Sequence, residues 1–262
     1  MSDETANYQK VIDFMLLSGQ RLLKRAGKIK DIGITKKDLT EEYLAIERGL
    51  KEIVVGFGGE PTVYAEEEND VFNAATDLWV IDPISGTHRF IKGEPHYSIV
   101  VCHLVNHKPI FAAVYDPSAE ELYTAYVGKG AFLNGAPIHV SQACSKIIIR
   151  PSMFWKDPDA VRRLEELLSE KNLKNNTYSM AVNYCAVAKG EDDGVVALTK
   201  DSFPEFAGNL IIKEAGGKFT NIEGSVDIKP TDRVFIGGNI KAYAELLPLV
   251  RRALLEKPEN KL

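Results

Sequence analysis

The hydrophobic pattern of this chain changes period twice, and that change constrains the fold more than any other feature. Over residues 6–28, Val11, Ile12, Met15, Leu16, Leu22 and Leu23 recur at helical spacing, with lysine and arginine toward the end, where the helix dipole favours them. Residues 38–54 repeat the helical pattern and set Glu41, Glu42 and Glu47 on the wet side. The texture then becomes that of strands. Residues 78–81, 97–104, 110–115 and 121–126 are short runs rich in apolar and β-branched side chains, separated by turn signals such as Asp116-Pro117. After Gly128, strands at 147–149, 195–198 and 234–236 alternate with helices at 159–171, 180–189, 206–215 and 242–255. Gly216 and Gly217 supply the stop after the third of these helices. The expectation is helices on an antiparallel sheet over residues 1–140. Residues 141–262 should form an α/β half with a mixed sheet and crossover helices. No linker rich in Gly, Pro or Ser separates the halves, so they should pack tightly.

Charge narrows the partners. Across 262 residues, 32 Lys and Arg stand against 37 Asp and Glu, a net charge of −5. Such a balance offers no electrostatic footprint for nucleic acid or an anionic membrane. No run reaches the ~18–20 apolar residues that a membrane span requires. Met1-Ser2-Asp3-Glu4 lacks the basic-then-apolar order of a signal peptide. Cys102, Cys144 and Cys185 are odd in number and in no metal spacing, so they read as small buried hydrophobes in a reducing compartment. A soluble cytoplasmic protein is expected.

Three segments carry candidate chemistry. In Trp79-Val80-Ile81-Asp82-Pro83-Ile84-Ser85-Gly86-Thr87 a strand runs into a carboxylate and then into Gly-Thr. That order can place Asp82 and the Ile84 carbonyl at a strand end, with helix-start amides following to hold a phosphate. A turn in which Asp82 bonds its own backbone is the plain alternative. Glu66-Glu67-Glu68 offers hard-oxygen ligands for Mg²⁺, or simply a solvated acidic loop. Thr35-Lys36-Lys37-Asp38 precedes a helix and could merely cap it. His96, His103, His107 and His139 are scattered and form no helical pair of ligands, which leaves them as satisfied core or surface side chains.

Taken with Gly128-Lys-Gly-Ala-Phe-Leu-Asn134-Gly135 and Glu214-Ala-Gly-Gly217, these segments make the chain resemble the inositol monophosphatase family, including archaeal inositol-phosphate and fructose-bisphosphate phosphatases. The resemblance implies an α/β (α+β) fold, a layered α-β-α-β-α sandwich that hydrolyses small phosphate monoesters with Mg²⁺. Its substrate would be a small phosphorylated polyol or sugar, and its partner a second copy in a homodimer. Carried over, Glu66, Asp82 and the Ile84 carbonyl would hold one metal. Asp38 and Thr87 would orient and deprotonate the attacking water, and the Gly86 and Thr87 amides would grip the phosphate.

This chain also departs from the family pattern. Ser85 stands where the family's Asp-Pro-Ile-Asp-Gly-Thr has its second aspartate, and Arg89 where an asparagine follows. Pro204 takes the aspartate position of the later Trp-Asp motif. The missing carboxylates belong to a second metal, so a single Mg²⁺ is expected. Pro204 reads instead as a first-turn helix proline, with Ser202 as the cap. Arg89, together with His88, either brings positive charge to the phosphate pocket beside Ser85 or faces solvent. Two functions remain in view: a hydrolase with a reduced metal complement, and a catalytically silent relative that binds a phosphorylated ligand or a partner.

Overall fold

The computed structural model describes residues 3–29, 40–58, 61–65, 76–152, 155–174, 178–200 and 202–255. Helices α1 (Asp3–Arg25) and α2 (Glu41–Val55) open the chain. Strands β1 (Thr62–Ala65) and β2 (Asp77–Ser85) follow, then the short helix α3 (Thr87–Lys92). Strands β3 (Ser98–Val105), β4 (Lys108–Asp116), β5 (Glu121–Tyr126), β6 (Gly130–Leu133) and β7 (Ala136–Ile138) complete a seven-stranded sheet whose spatial order is its sequence order. The second half runs β8 (Lys146–Pro151), α4 (Pro158–Leu167), β9 (Asn172–Lys174), α5 (Met180–Ala188) and β10 (Gly194–Leu198). It ends with α6 (Phe203–Glu214), β11 (Lys218–Asn221), β12 (Val234–Gly238) and α7 (Ile240–Leu255). Its five strands lie in the order β11-β12-β10-β8-β9.

The layers follow from which faces are apolar. Successive residues of β2 point to opposite faces. Trp79 and Ile81 join Val11 and Met15 of α1 and Ile46 and Leu50 of α2 in one buried cluster. Leu78 and Val80 face the other way, toward Tyr184 and Cys185 of α5 and Phe206 and Ile211 of α6. The same cluster takes in Val195 and Phe235 from the second sheet, so α5 and α6 fill the space between the sheets. Behind the second sheet, Ile147, Val196 and Ile236 pack on Leu164 of α4 and Leu246 and Val250 of α7. The result is the expected α-β-α-β-α sandwich. Helix α6 is buried from Phe203 through Ile212, as a helix held between two sheets must be. Each large side chain buried there, such as Phe206, contributes about 1.5–3 kcal/mol.

The structure corrects several expectations. The first sheet is not wholly antiparallel: β1 runs parallel to β2, with Ala65 beside Ile81. The second helix begins at Glu41 rather than at residue 38, because Thr40 caps it by accepting from the Tyr43 amide at 3.0 Å. Ser202 occupies the N-cap of α6 but makes no side-chain capping bond there. Cys102 and Cys185 are buried as expected, whereas Cys144 is only partly so. No helix among the described residues is long and apolar enough to cross a membrane.

Two segments singled out in the sequence turn out to be architectural. The Glu214 carboxylate at the end of α6 accepts from the amides of Gly128 and Gly130, each at 3.0 Å, and so pins the β5–β6 turn to the central helix. The Asn134 side chain accepts from the Leu122 amide at 2.9 Å and donates to the Glu120 carbonyl at 3.1 Å.

Candidate active site

The site begins at an irregularity in β2. Asp82 pairs with Val100 and Ser85 with Ser98, so three steps along β2 match two along β3. This bulge accommodates Pro83, which has no amide for the ladder. It also turns the Ile84 carbonyl toward the next turn, where it accepts the Thr87 hydroxyl at 2.6 Å. Asp82 ends up 7% exposed, a buried carboxylate toward the end of a strand. Ser85 is likewise buried.

Gly86 turns the chain from strand into helix. Its φ of 79° and ψ of 38° are left-handed, a conformation glycine adopts without strain. A β-carbon at this position would stand 3.0 Å from the Ser179 β-carbon, so the neighbouring chain also demands a small residue. Ser179 is the N-cap of α5, accepting from the Val182 amide at 3.2 Å. Its own amide donates to the His96 carbonyl at 2.9 Å, and its hydroxyl bonds Ser98 at 2.9 Å. The start of α5 is thereby stapled to the turn that carries Gly86 and Thr87. The start of α6 arrives from another side, where Phe203 stacks on Tyr64 of β1 at 4.8 Å. Helix starts present free amides and a positive dipole end, so gathering those of α3, α5 and α6 around this strand end favours an anion.

The candidate residues separate into groups. The structure brings Asp82, Ile84, Ser85, Gly86 and Thr87 together on one bulge and turn. Asp38 and Glu66 lie outside the described residues. The β1–β2 register nevertheless sets Ala65, the chain neighbour of Glu66, beside Ile81, the chain neighbour of Asp82. Among the described residues no three His, Cys, Asp or Glu side chains group around a common point.

Of the two alternatives for Arg89, the structure overturns one. A solvent-facing arginine is ruled out by its 8% exposure. Its Nε donates to the Pro95 carbonyl at 2.6 Å, and a terminal nitrogen lies 3.1 Å from the Glu94 carboxylate. The guanidinium also sits 5.4 Å from the centre of the Tyr178 ring. Arg89 therefore ties down the turn that follows α3. Its charge is still felt nearby: burial first, and Arg89 second, hold Arg150 below the ordinary arginine value. His88, by contrast, is exposed.

The residues fit one hard cation. Asp82 and the Ile84 carbonyl are oxygen donors on one short segment, the kind of set Mg²⁺ prefers. Among the described residues the donors for a second are fewer. Pro204 occupies the first turn of α6, buried, with no side-chain oxygen. Glu205 beside it is fully buried and accepts the Tyr184 hydroxyl at 2.9 Å, which engages it with α5. Ser85 contributes only a hydroxyl.

Sequence reading missed the role of Ser179, whose signal was a serine directly before an apolar helical run. It also missed a polar chain at the far end of β2, in which Tyr8, His103 and Asp77 are linked at 2.9 and 3.0 Å.

Comparison with known proteins identifies relatives of the whole chain. The family model described as inositol monophosphatase family matches residues 24–255. Over 226 residues the chain is 28% identical to a fructose-1,6-bisphosphatase/inositol-1-monophosphatase of Aquifex aeolicus, covering 81% of this chain and 85% of that one. It is also 30% identical over 200 residues to the Nus factor SuhB of Escherichia coli, 74% of each chain. Among solved structures, an IMPase of Thermotoga maritima matches with a TM-score of 0.82 at 26% identity, covering 95% of this chain and 98% of that one.

Proposed function

The chain belongs to the inositol monophosphatase family, and from that premise we propose that it hydrolyses small phosphate monoesters, of the inositol phosphate or fructose bisphosphate kind, using one Mg²⁺. The observation that carries this reading is the bulge-and-turn segment from Asp82 to Thr87, which places a buried carboxylate, a carbonyl and helix-start amides on one short stretch of chain.

The residues divide the work as follows. Helix starts from α3, α5 and α6 draw the anionic ester toward the end of β2. The Gly86 and Thr87 amides donate to the phosphate oxygens, as unsatisfied amides at a helix start do. Thr87 has committed its hydroxyl proton to the Ile84 carbonyl, so its oxygen is left to accept from a water and hold it in line. Asp38 is assigned to take that water's proton. Asp82, the Ile84 carbonyl and Glu66 are the ligand set for Mg²⁺, which when bound neutralises phosphate charge and acidifies water. Arg89 acts from behind by fixing the turn at Glu94 and Pro95.

The test is release of phosphate from inositol monophosphate and fructose bisphosphate against Mg²⁺ concentration, with the Asp82→Asn variant as control. Hydrolysis that rises with Mg²⁺ and vanishes in the variant is expected. Rates equal to the variant's at every Mg²⁺ concentration would refute the proposal.

Ser85 and Pro204 favour a second reading, in which the site binds a phosphorylated ligand without turning it over. Saturable ligand binding with no phosphate release would select it.

A further inference from the structure

The three cysteines do not share one environment. Cys102 and Cys185 are fully buried between the sheets, whereas Cys144 is partly exposed and packs at the margin of the cluster behind the second sheet. Cys144 lies two residues ahead of β8, and Lys171 lies one residue ahead of β9. These strands run parallel, with Lys146 beside Asn172, and the Asn172 amide donates to the Ser145 carbonyl at 2.7 Å. The ladder therefore holds both side chains at one end of the sheet. An ammonium has three donors, and Lys171 directs them at two neighbours. It bonds the Cys144 carbonyl at 2.9 Å, the Cys144 sulfur at 3.5 Å and the Glu245 carboxylate of α7 at 2.6 Å.

Each member of this cluster has a chemical use. A thiol reduces peroxides and becomes a sulfenic acid, whose sulfur is then open to a nitrogen nucleophile. Lys171 is that nucleophile, already in contact with the sulfur, and Glu245 is the base in contact with the amine. The Lys171 and Glu245 side chains are 23% and 41% exposed, so small solutes reach the cluster. Burial first, and Glu245 next, hold the Cys144 thiol above its ordinary value, while Lys171 pulls it back. The bond to Glu245 raises Lys171, and the same bond lowers Glu245. At rest the three are thiol, ammonium and carboxylate, which do not react until an oxidant arrives.

We propose that Cys144 and Lys171 are a redox modification site, joined by a reversible sulfur–nitrogen bond when the chain meets a peroxide. The sulfur attacks one peroxide oxygen. An S–O bond forms, the O–O bond breaks, and the thiol proton leaves with the departing oxygen as water. Lys171, having passed one proton to Glu245, then attacks the sulfenic sulfur. An N–S bond forms, the S–O bond breaks, and the hydroxide takes a proton from nitrogen to leave as a second water. The sulfur is oxidised, the peroxide is reduced to two waters, and the joined side chains have lost two hydrogens. A dithiol reverses the link, restoring thiol and amine as it closes its own disulfide.

Peptide mass spectrometry after exposure of the folded protein to hydrogen peroxide tests this. The peptides carrying Cys144 and Lys171 should appear joined and two hydrogens lighter, and dithiothreitol should separate them. Cys102 and Cys185 should stay unmodified, since both are closed to solvent. Lys171→Arg keeps a cation for Glu245 but supplies no amine, so its Cys144 should pass on to the sulfinic acid while the thermal unfolding temperature stays near that of the parent. In the parent, Cys144 carried to the sulfinic acid with Lys171 unlinked overturns the proposal. So does a Cys144 thiol left intact at peroxide concentrations that oxidise free cysteine, or a link that persists in Lys171→Arg. Hydrolysis plays no part in this readout, so the result is independent of the proposed phosphatase activity.

Discussion

The two sides of the candidate active site differ in what they offer a cation. On the β2 side, a bulge, a buried aspartate and a carbonyl that accepts the Thr87 hydroxyl present oxygen donors within a few residues. On the α6 side, the helix opens with Pro204, which suits a first helical turn but contributes no donor, and the adjacent Glu205 is engaged by Tyr184. Mg²⁺ takes about six oxygens at near-ideal octahedral geometry and keeps several waters. One well-placed carboxylate with a carbonyl and a second acidic ligand can therefore hold it, whereas a hydroxyl beside a proline cannot. Both sides share the backbone of a helix start, in α3 and in α6, and differ in the side chains they carry. Helix dipoles come from the backbone; ligands come from individual side chains.

The largest effect expected from breaking this asymmetry is on the β2 side. Asp82→Asn should lower Mg²⁺-dependent phosphate release by at least about a hundredfold, since a direct ligand matters at least as much as the groups that orient one. Filling in the α6 side sharpens the comparison from the other direction. A Ser85→Asp/Pro204→Asp variant should bind Mg²⁺ more tightly and raise turnover about tenfold, a gain of roughly 1.4 kcal/mol. An acidic residue in the first turn of α6 suits the helix dipole, but both positions are buried and Pro204 adjoins Glu205, so the unfolding temperature is measured with and without Mg²⁺ to show that the variant folds. Unchanged Mg²⁺ dependence would mean that those positions do not face the cation.

The smallest effect is on stability and uses the same modest substitution size on each side. Gly86→Ala must place a β-carbon 3.0 Å from that of Ser179 in a left-handed backbone, and should cost about 1–3 kcal/mol in denaturant unfolding. Pro204→Ala should cost no more than about 1 kcal/mol, because alanine also serves in a first helical turn. Equal costs would deny that the Gly86 turn is the constrained side.

How much of this could be read from sequence depended on length and locality. Helix α5 was legible as a continuous apolar run, helix α7 by its apolar spacing despite Pro248, and strand β5 falls at the expected residues 121–126. Strands β1, β9 and β11, of three or four residues, are too short to show a period, and they form only because a longer neighbour supplies the ladder. The parallel pairing of β1 was invisible for the same reason. Asp82 through Thr87 were legible because the whole unit is contiguous. The Tyr8–His103 contact spans 95 residues, and nothing local announces it. The one hint was a histidine interrupting the apolar run of β3.

The central claim is that Asp82 and the Ile84 carbonyl hold one divalent cation while the Pro204 side holds none. A crystal soaked with Mn²⁺ and phosphate, with ions located by anomalous scattering, measures this directly. The account predicts one strong peak in contact with Asp82 and the Ile84 carbonyl, with phosphate oxygens toward the Gly86 and Thr87 amides. A second full peak beside Pro204, or none at Asp82, would contradict it.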